Sequence, residues 1–139
     1  MTPTAIRAFV TRWLSAVSIG NSEEFSDLVA ENVRDLNSGS ETDALAFEAR
    51  ARAVREAFGD LEHELDELLI EGERIAWRWR LSGVHRAPFL GQPATGKRVT
   101  LRGVNFQRIQ NGRVTEHYTV LDTQRALAEI SAPSVTRRN

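Results

Sequence analysis

Cysteine is absent from the 139 residues, which removes disulfides, thiol nucleophiles and cysteine-based zinc sites together and leaves nothing that requires an oxidising compartment. An excess of either charge is lacking as well. The 18 basic and 19 acidic side chains give a formal net charge of −1, and the two signs are interspersed. That balance favours neither nucleic acid nor an anionic membrane surface, so the expected partner is a small hydrophobic or aromatic substrate. No apolar run approaches the roughly 18 residues a membrane helix needs, and MTPTAIRAFV lacks the layout of a signal peptide, so the expected location is cytoplasmic. No Gly-rich phosphate loop and no Gly-x-Ser-x-Gly elbow occur, and three dispersed histidines without cysteine do not form a recognisable zinc site. Neither a metal nor a cofactor is expected.

What is present fits one domain with room for a core and a ligand cavity, taken as residues 1–130, followed by a flexible tail over 131–139. Ile6, Phe9, Val10, Trp13, Leu14 and Val17 recur at helical spacing between Pro3 and Gly20, predicting a first helix. Asn21 with Glu24 resembles a capping box, and Phe25, Leu28 and Val29 give the short second helix an apolar side. After a polar turn over 35–43, Phe47, Ala51, Val54 and Phe58 predict a third helix ending at Gly59. From Leu61 the period shortens to two. Ile75, Trp77, Trp79 and Leu81 share one face of a strand and Arg78, Arg80 and Ser82 the other, and His85 keeps the inward parity if the strand stays regular through Gly83. A Gly/Pro-rich crossing over 86–97 leads into a hairpin around Asn111-Gly112, and Asp122 opens a short last helix. The reading is an α+β domain, a conical barrel in which a curved antiparallel sheet is covered by three N-terminal helices and a short C-terminal one.

Two hairpin registers are open. A two-residue turn would set Phe106 opposite His117, whereas a three-residue turn with Gly112 as a bulge would pair Asn105 with His117 and Gly103 with Thr119. The second sorts Asn105, Gln107, His117 and Thr119 onto one face and Val104, Phe106, Val114, Tyr118 and Val120 onto the other. Converging polar groups imply a cavity holding water or ligand, because each would cost on the order of 1–3 kcal/mol if buried without a partner. The apolar outer face implies a partner, most simply a second copy, so a homodimer through the convex side of the sheet is expected.

The segments GVHRAPFLGQPATGKRV and FQRIQNGRVTEHYTVLDT resemble the SnoaL-like polyketide cyclase and ester cyclase family, within the nuclear transport factor two-like fold. The matching positions are Gly83, His85, Gly91, Pro93, Thr95, Gly96, Arg108, Gly112, Arg113, Glu116, His117 and Asp122. The likeness spans most of the chain, and its specific part covers residues 77–130. It implies an apolar-lined pocket, a dimer or larger assembly, no metal, and chemistry on a polyketide. Cyclases of this family close a ring by an intramolecular aldol reaction, with an Asp two residues after the His as general acid and base; here that position is Thr119. A neighbouring-strand His of those cyclases falls on Asn105. Some relatives are linked instead to ring hydroxylation.

The candidate catalytic residues are therefore His117, Asn105 and Asp122, and the candidate substrate-binding residues are Trp13, Asn37, Trp77, Trp79, His85 and Thr119. His117 could carry a proton near neutrality or serve as a hydrogen-bonded structural residue. Asp122 is a candidate carboxylate and equally a helix N-cap. His85 lines the pocket mouth or bonds loop backbone; the tryptophans stack on a planar ligand or fill the core. Asn37 resembles an Asn that points at substrate in the family, and its alternative is a turn residue. Rival functions are a non-catalytic ligand-binding protein and relatives that act as isomerases or epoxide hydrolases. The isomerases of this fold need a pocket tyrosine, yet Tyr118 is the one tyrosine and the bulged register turns it outward. The hydrolases need an Asp-Arg-Asp set on strands whose residues 99–121 here contain no Asp.

Overall fold

The structure, a computed structural model, describes residues 1–20 and 23–133. Helix α1 (Pro3–Ser18) begins where Thr2 accepts a hydrogen bond from the Ala5 N–H at 3.1 Å and Pro3 supplies a preset φ. It ends at Ile19, followed by Gly20 at φ +84°. α2 (Glu24–Leu28) buries Phe25 and Leu28. The capping-box partner Asn21 lies outside the described residues, as do positions 134–139 of the expected tail, whereas Ser131 still belongs to the last helix.

Between the second and third helices the chain forms two strands that the sequence reading passed over as turn. β1 (Val29–Asp35) opens on Val29, expected in the helix, and pairs antiparallel with β2 (Glu41–Thr42). α3 (Ala44–Ala57) is capped by the Asp43 side chain, which accepts from the Ala46 N–H at 3.0 Å. Phe58, expected to close that helix, instead opens β3 (Phe58–Glu71). There follow β4 (Arg74–His85), β5 (Arg98–Gln110), β6 (Arg113–Leu121) and α4 (Thr123–Ser131).

The six strands run in the order β2-β1-β6-β5-β4-β3. The α+β architecture is the expected one, with two corrections: the sheet stays open rather than closing into a barrel, and β1 lies parallel to β6. Antiparallel hairpins build β3 to β6, but β1 reaches its neighbour only after the intervening elements have formed, so nothing local marks it. Register shifts in β3, between Gly59 and Glu62 and between Leu65 and Glu67, bend the sheet. α1 and α3 lie over the concave side. There Phe9, Val10, Trp13, Leu14, Phe47 and Ala51 join Ile75, Trp77, Leu81, Val99 and Leu101 in one buried core.

The hairpin takes neither expected register. Asn111 and Gly112 both have positive φ, +52° and +74°, as a two-residue turn of the primed type requires, and Gln110 faces Arg113. One extra residue on β6 then shifts the pairing between Arg108 and Ile109, so that Gln107 faces His117 and Asn105 faces Thr119. Thr115 fills the bulge, its hydroxyl donating to Gln110 Oε1 at 3.0 Å. The net parity still matches the face assignment made for Asn105, Gln107, His117 and Thr119. Val114 is the exception: it precedes the bulge, faces inward opposite Ile109 and is fully buried rather than part of the outer patch.

Candidate active site

A cavity of about 290 Å³ lies between the concave sheet face and the helices. Its wall takes Trp13 from α1, Phe47, Arg50 and Ala51 from α3, Trp77 and Trp79 from β4, Asn105 from β5, and His117 and Thr119 from β6. Phe89 of the 86–97 crossing closes one side. Six of the nine sequence-derived candidates thus meet at one cavity. A larger groove of about 530 Å³ opens on the convex face, lined by Arg78, Arg80, Arg102, Asp122 and Arg125 among others. Asp66 and Glu129 pair with most of those arginines, and the groove lies away from the buried polar chain, so the smaller cavity is the better candidate.

Two hydrogen-bonded chains organise the polar side chains. In the first, the Trp77 indole N–H donates to Gln107 Oε1 at 3.0 Å, and Gln107 Nε2 lies 3.0 Å from His117 Nδ1. An indole nitrogen can only donate, so the Gln107 oxygen must face Trp77 and its NH2 must face the imidazole. Nδ1 is then an acceptor, and the proton of the neutral ring sits on Nε2. In the second chain the Trp79 N–H donates to Asn105 Oδ1 at 3.0 Å, and the Thr119 hydroxyl donates to the same oxygen at 2.7 Å. The Asn105 NH2 is therefore the donor left over. Trp79 can lie where it does because the facing residue on β5 is Gly103: a Cβ there would come within 2.2 Å of the indole ring.

His117 is packed between rings. Trp13 stacks on it at 5.4 Å between centroids with a 19° tilt, and Phe47 meets it edge-on at 4.9 Å. Burial in this cage pushes its pKa down to about 4, the Arg50 charge pushes it further the same way, and Asp35 opposes them. Titration near neutrality, one of the two expectations for His117, does not fit this cage. The imidazole is held neutral as a hydrogen-bond donor through Nε2. Asp35, beside it on β1 in the parallel register, was not singled out from the sequence. It accepts from the Asn37 N–H at 3.0 Å and from Arg50 Nη2 at 3.1 Å. Burial would raise its pKa, but the Asn37 N–H and the Arg50 guanidinium outweigh that and hold it below the usual carboxylate range. Arg50 was missed too, although Phe47, Arg50, Ala51 and Val54 follow the i, i+3, i+4, i+7 spacing of a cavity-facing stripe.

The remaining three candidates sit elsewhere. Asn37 clamps Thr119 from the edge of the sheet, its Nδ2 donating to the Thr119 carbonyl at 2.8 Å and its Oδ1 accepting from the Thr119 N–H at 3.0 Å. It positions a cavity residue without lining the cavity. His85 is wholly buried one layer back, with Nδ1 3.0 Å from Thr95 Oγ1 and its ring 5.5 Å from Phe58, which in turn packs on Phe89. Its backbone N–H donates to the Lys97 carbonyl, closing the base of the crossing. Asp122 follows inward-facing Leu121, so it takes the outward parity; it caps α4 by accepting from the Arg125 N–H at 3.0 Å. Among the described residues no three His, Asp or Glu side chains converge as a metal site would require.

The arrangement can hold a flat apolar molecule and offer it two neutral N–H donors, Asn105 Nδ2 and His117 Nε2. Comparison with known proteins agrees with that kind of site. The sequence matches the SnoaL-like polyketide cyclase family over residues 7–130. Nogalonic acid methyl ester cyclase of Streptomyces nogalater is similar at 29% identity over 126 residues, spanning 86% of this chain and 92% of that protein. Among solved structures, TsrD from Streptomyces laurentii superposes with a TM-score of 0.85 at 22% identity, covering 96% of this chain and 99% of that one. AclR from Streptomyces galilaeus, described as a candidate hydroxylase, gives 0.76 at 21% identity, with 93% and 97% covered. These two show the shared fold, and the match along the sequence carries the family: the chain belongs to the SnoaL-like polyketide cyclases.

Proposed function

We propose that the protein is an enzyme of polyketide metabolism that takes a hydrophobic polycyclic substrate into the concave cavity and promotes ring closure by holding an oxygen as it becomes an enolate. The observation that carries this reading is the pair of fixed donors. Asn105 and His117 are diagonal neighbours across β5 and β6; the Trp79 N–H orients the Asn105 amide directly, and the Trp77 N–H orients the His117 ring through Gln107. Donors fixed before the charge develops stabilise an oxyanion without reorganising at the moment of reaction. A neutral His117 suits that role better than proton carriage.

The substrate supplies what Thr119 does not. A carbon acid flanked by carbonyls loses its proton to solvent once the enolate oxygen is held. The enolate carbon then adds to a second carbonyl carbon of the same molecule, and the new alkoxide takes up a proton. The cavity volume is about twice that of a roughly 150 Å³ site that accepts benzene, so two or three fused rings fit with the remainder at the mouth. Trp13, Trp77 and Trp79 offer ring faces and edges to such a ligand.

Ring closure of nogalonic acid methyl ester, followed by absorbance, is the assay. Asn105→Leu keeps the volume and deletes the donor, and turnover is expected to fall by roughly 10²-fold. Between pH 5 and 8 the wild-type rate should show no ionisation belonging to His117. Turnover that survives both Asn105→Leu and His117→Ala overturns the reading. Thr119, in place of the cyclase Asp, supports a second one, hydroxylation, the activity class given for AclR, with dioxygen as oxidant and a separate two-electron reductant sending its second oxygen atom to water; a product heavier by one oxygen atom would select it.

The convex face, with Val104, Phe106, Tyr118 and Val120 all exposed, supports a homodimer as the working form.

A further inference from the structure

Among the described residues, Arg50 is the one side chain in the cavity wall with a fixed charge; the rest of that wall is apolar or neutral and polar. Its side chain, 51% exposed, lies at the mouth, with Cζ 5.2 Å from the centroid of the Phe47 ring. A guanidinium carries five N–H donors in a planar fork. Asp35 takes one of the two on Nη2, at 3.1 Å, and that carboxylate is itself turned toward the Asn37 N–H rather than into the cavity. Donors remain at the rim of an otherwise apolar cleft. A neutral polycycle makes no use of them, whereas a carboxylate or an ionised phenol or enol matches both their charge and their spacing.

We infer that Arg50 is a specificity-determining residue that holds an anionic oxygen of the ligand at the cavity mouth, so that the ligand enters rings first with its acidic group outward. The inference rests on the concave cavity being the ligand site. Burial and charge place the two ends in order: the inner end is closed by Trp77 and His117, both at most 3% exposed, and the outer end carries the cation. The same cation faces His117 from α3, while Asp35 faces it from β1. An anion seated on Arg50 would therefore ease protonation of His117, a second sign of occupancy readable by NMR of the imidazole.

All three tryptophans of the chain line the cavity, so intrinsic fluorescence reports entry. The probes are anthraquinone-2-carboxylate and its neutral methyl ester. Wild-type protein should bind the carboxylate about tenfold more tightly than the ester. Arg50→Met should remove that preference and leave ester affinity within about twofold of wild type. Arg50→Lys should keep part of it, and Asp35→Asn, which releases the guanidinium from its partner, should enlarge it. The preference is a ratio of two affinities within one variant, so a loss of stability cancels in it, and Asp35→Asn tests the opposite sign if Arg50→Met does not fold. Equal binding of the two probes by the wild type, or a preference that persists in Arg50→Met, overturns the role of Arg50 and leaves the cavity reading standing. Quenching by neither probe overturns the cavity as a ligand site and this inference with it.

Discussion

The two faces of β4, β5 and β6 invert the usual distribution of polarity. The concave face, sealed under α1 and α3, carries Asn105, Gln107 and His117, all buried. The convex face carries Val104 opposite Val120, 43% and 48% exposed, and Phe106 opposite Tyr118 as the next outward pair. At the ends of that outer patch stand charges, Arg74 and Arg108 on Glu116 at one end and Arg78 and Arg80 on Asp66 at the other. An arrangement serving stability alone would exchange the two sets. Buried polar groups need partners, and the tryptophan N–H groups bind the Gln107 and Asn105 oxygens here, which leaves Asn105 Nδ2 and His117 Nε2 as donors. Exposed apolar groups of this size mark a surface made for contact. One strand set thus presents two unlike surfaces, divided by side-chain parity alone.

The largest expected effect comes from breaking the inner chain. Gln107→Leu preserves the side-chain size but strands the Trp77 N–H and the His117 Nδ1. It should cost about 2–6 kcal/mol in urea unfolding at neutral pH, from two buried groups at about 1–3 kcal/mol each. A loss under about 1 kcal/mol would mean the chain is not the constraint described.

The pH dependence of stability sharpens the same contrast. The folded-state pKa of His117 is about 4, below its ordinary value of 6.5. The unfolded chain therefore binds the proton first, and the His117 contribution is fully present above pH 6.5 and declines as pH falls toward 4. At 1.36 kcal/mol per pKa unit this amounts to ~3 kcal/mol. His117→Phe should flatten the curve in that window. Asp35, whose folded pKa is lowered, acts below it: its contribution is present above 3.8 and is lost as the carboxylate protonates at lower pH. An unchanged slope in His117→Phe would contradict a buried neutral imidazole.

On the convex face the expected change in intrinsic stability is smallest. Phe106→Lys should alter it by no more than about 0.5 kcal/mol, while sedimentation should pass from dimer to monomer. A wild-type protein that sediments as a monomer would remove the homodimer from the proposal and leave the concave cavity untouched.

Much of this was legible before folding. The stripe from Ile6 to Val17 gave α1, the two-residue period gave the inward tryptophans of β4, and parity put Asn105, Gln107, His117 and Thr119 together. What was not legible depends on distant partners. VAENVRD has little local strand pattern, and β1 is held by β6, whose Glu116 and His117 lie about eighty positions further on. Asp35 therefore read as a turn residue. Arg50 looked like one more surface arginine on α3 until the cavity gave its position meaning. The neutral state of His117 follows from Trp13 and Phe47, contributed by two separate helices. Thr115 looks like any strand residue, since a bulge is a property of the pair and not of one strand.

That bulge sets how this hairpin can change length. Every residue of β6 after Thr115 owes its side to one uncompensated position, because strand parity has a period of two. Deleting Thr115 would restore a regular two-residue hairpin, with Val114 still opposite Ile109 and His117 still opposite Gln107, so the site would keep its facing. Deleting a second residue, with no bulge left to absorb it, would carry His117 and Thr119 to the solvent side and turn Tyr118 and Val120 into the cavity. Relatives with a working cavity of this kind whose turn-to-histidine spacing is shorter by one residue should therefore lack the bulge.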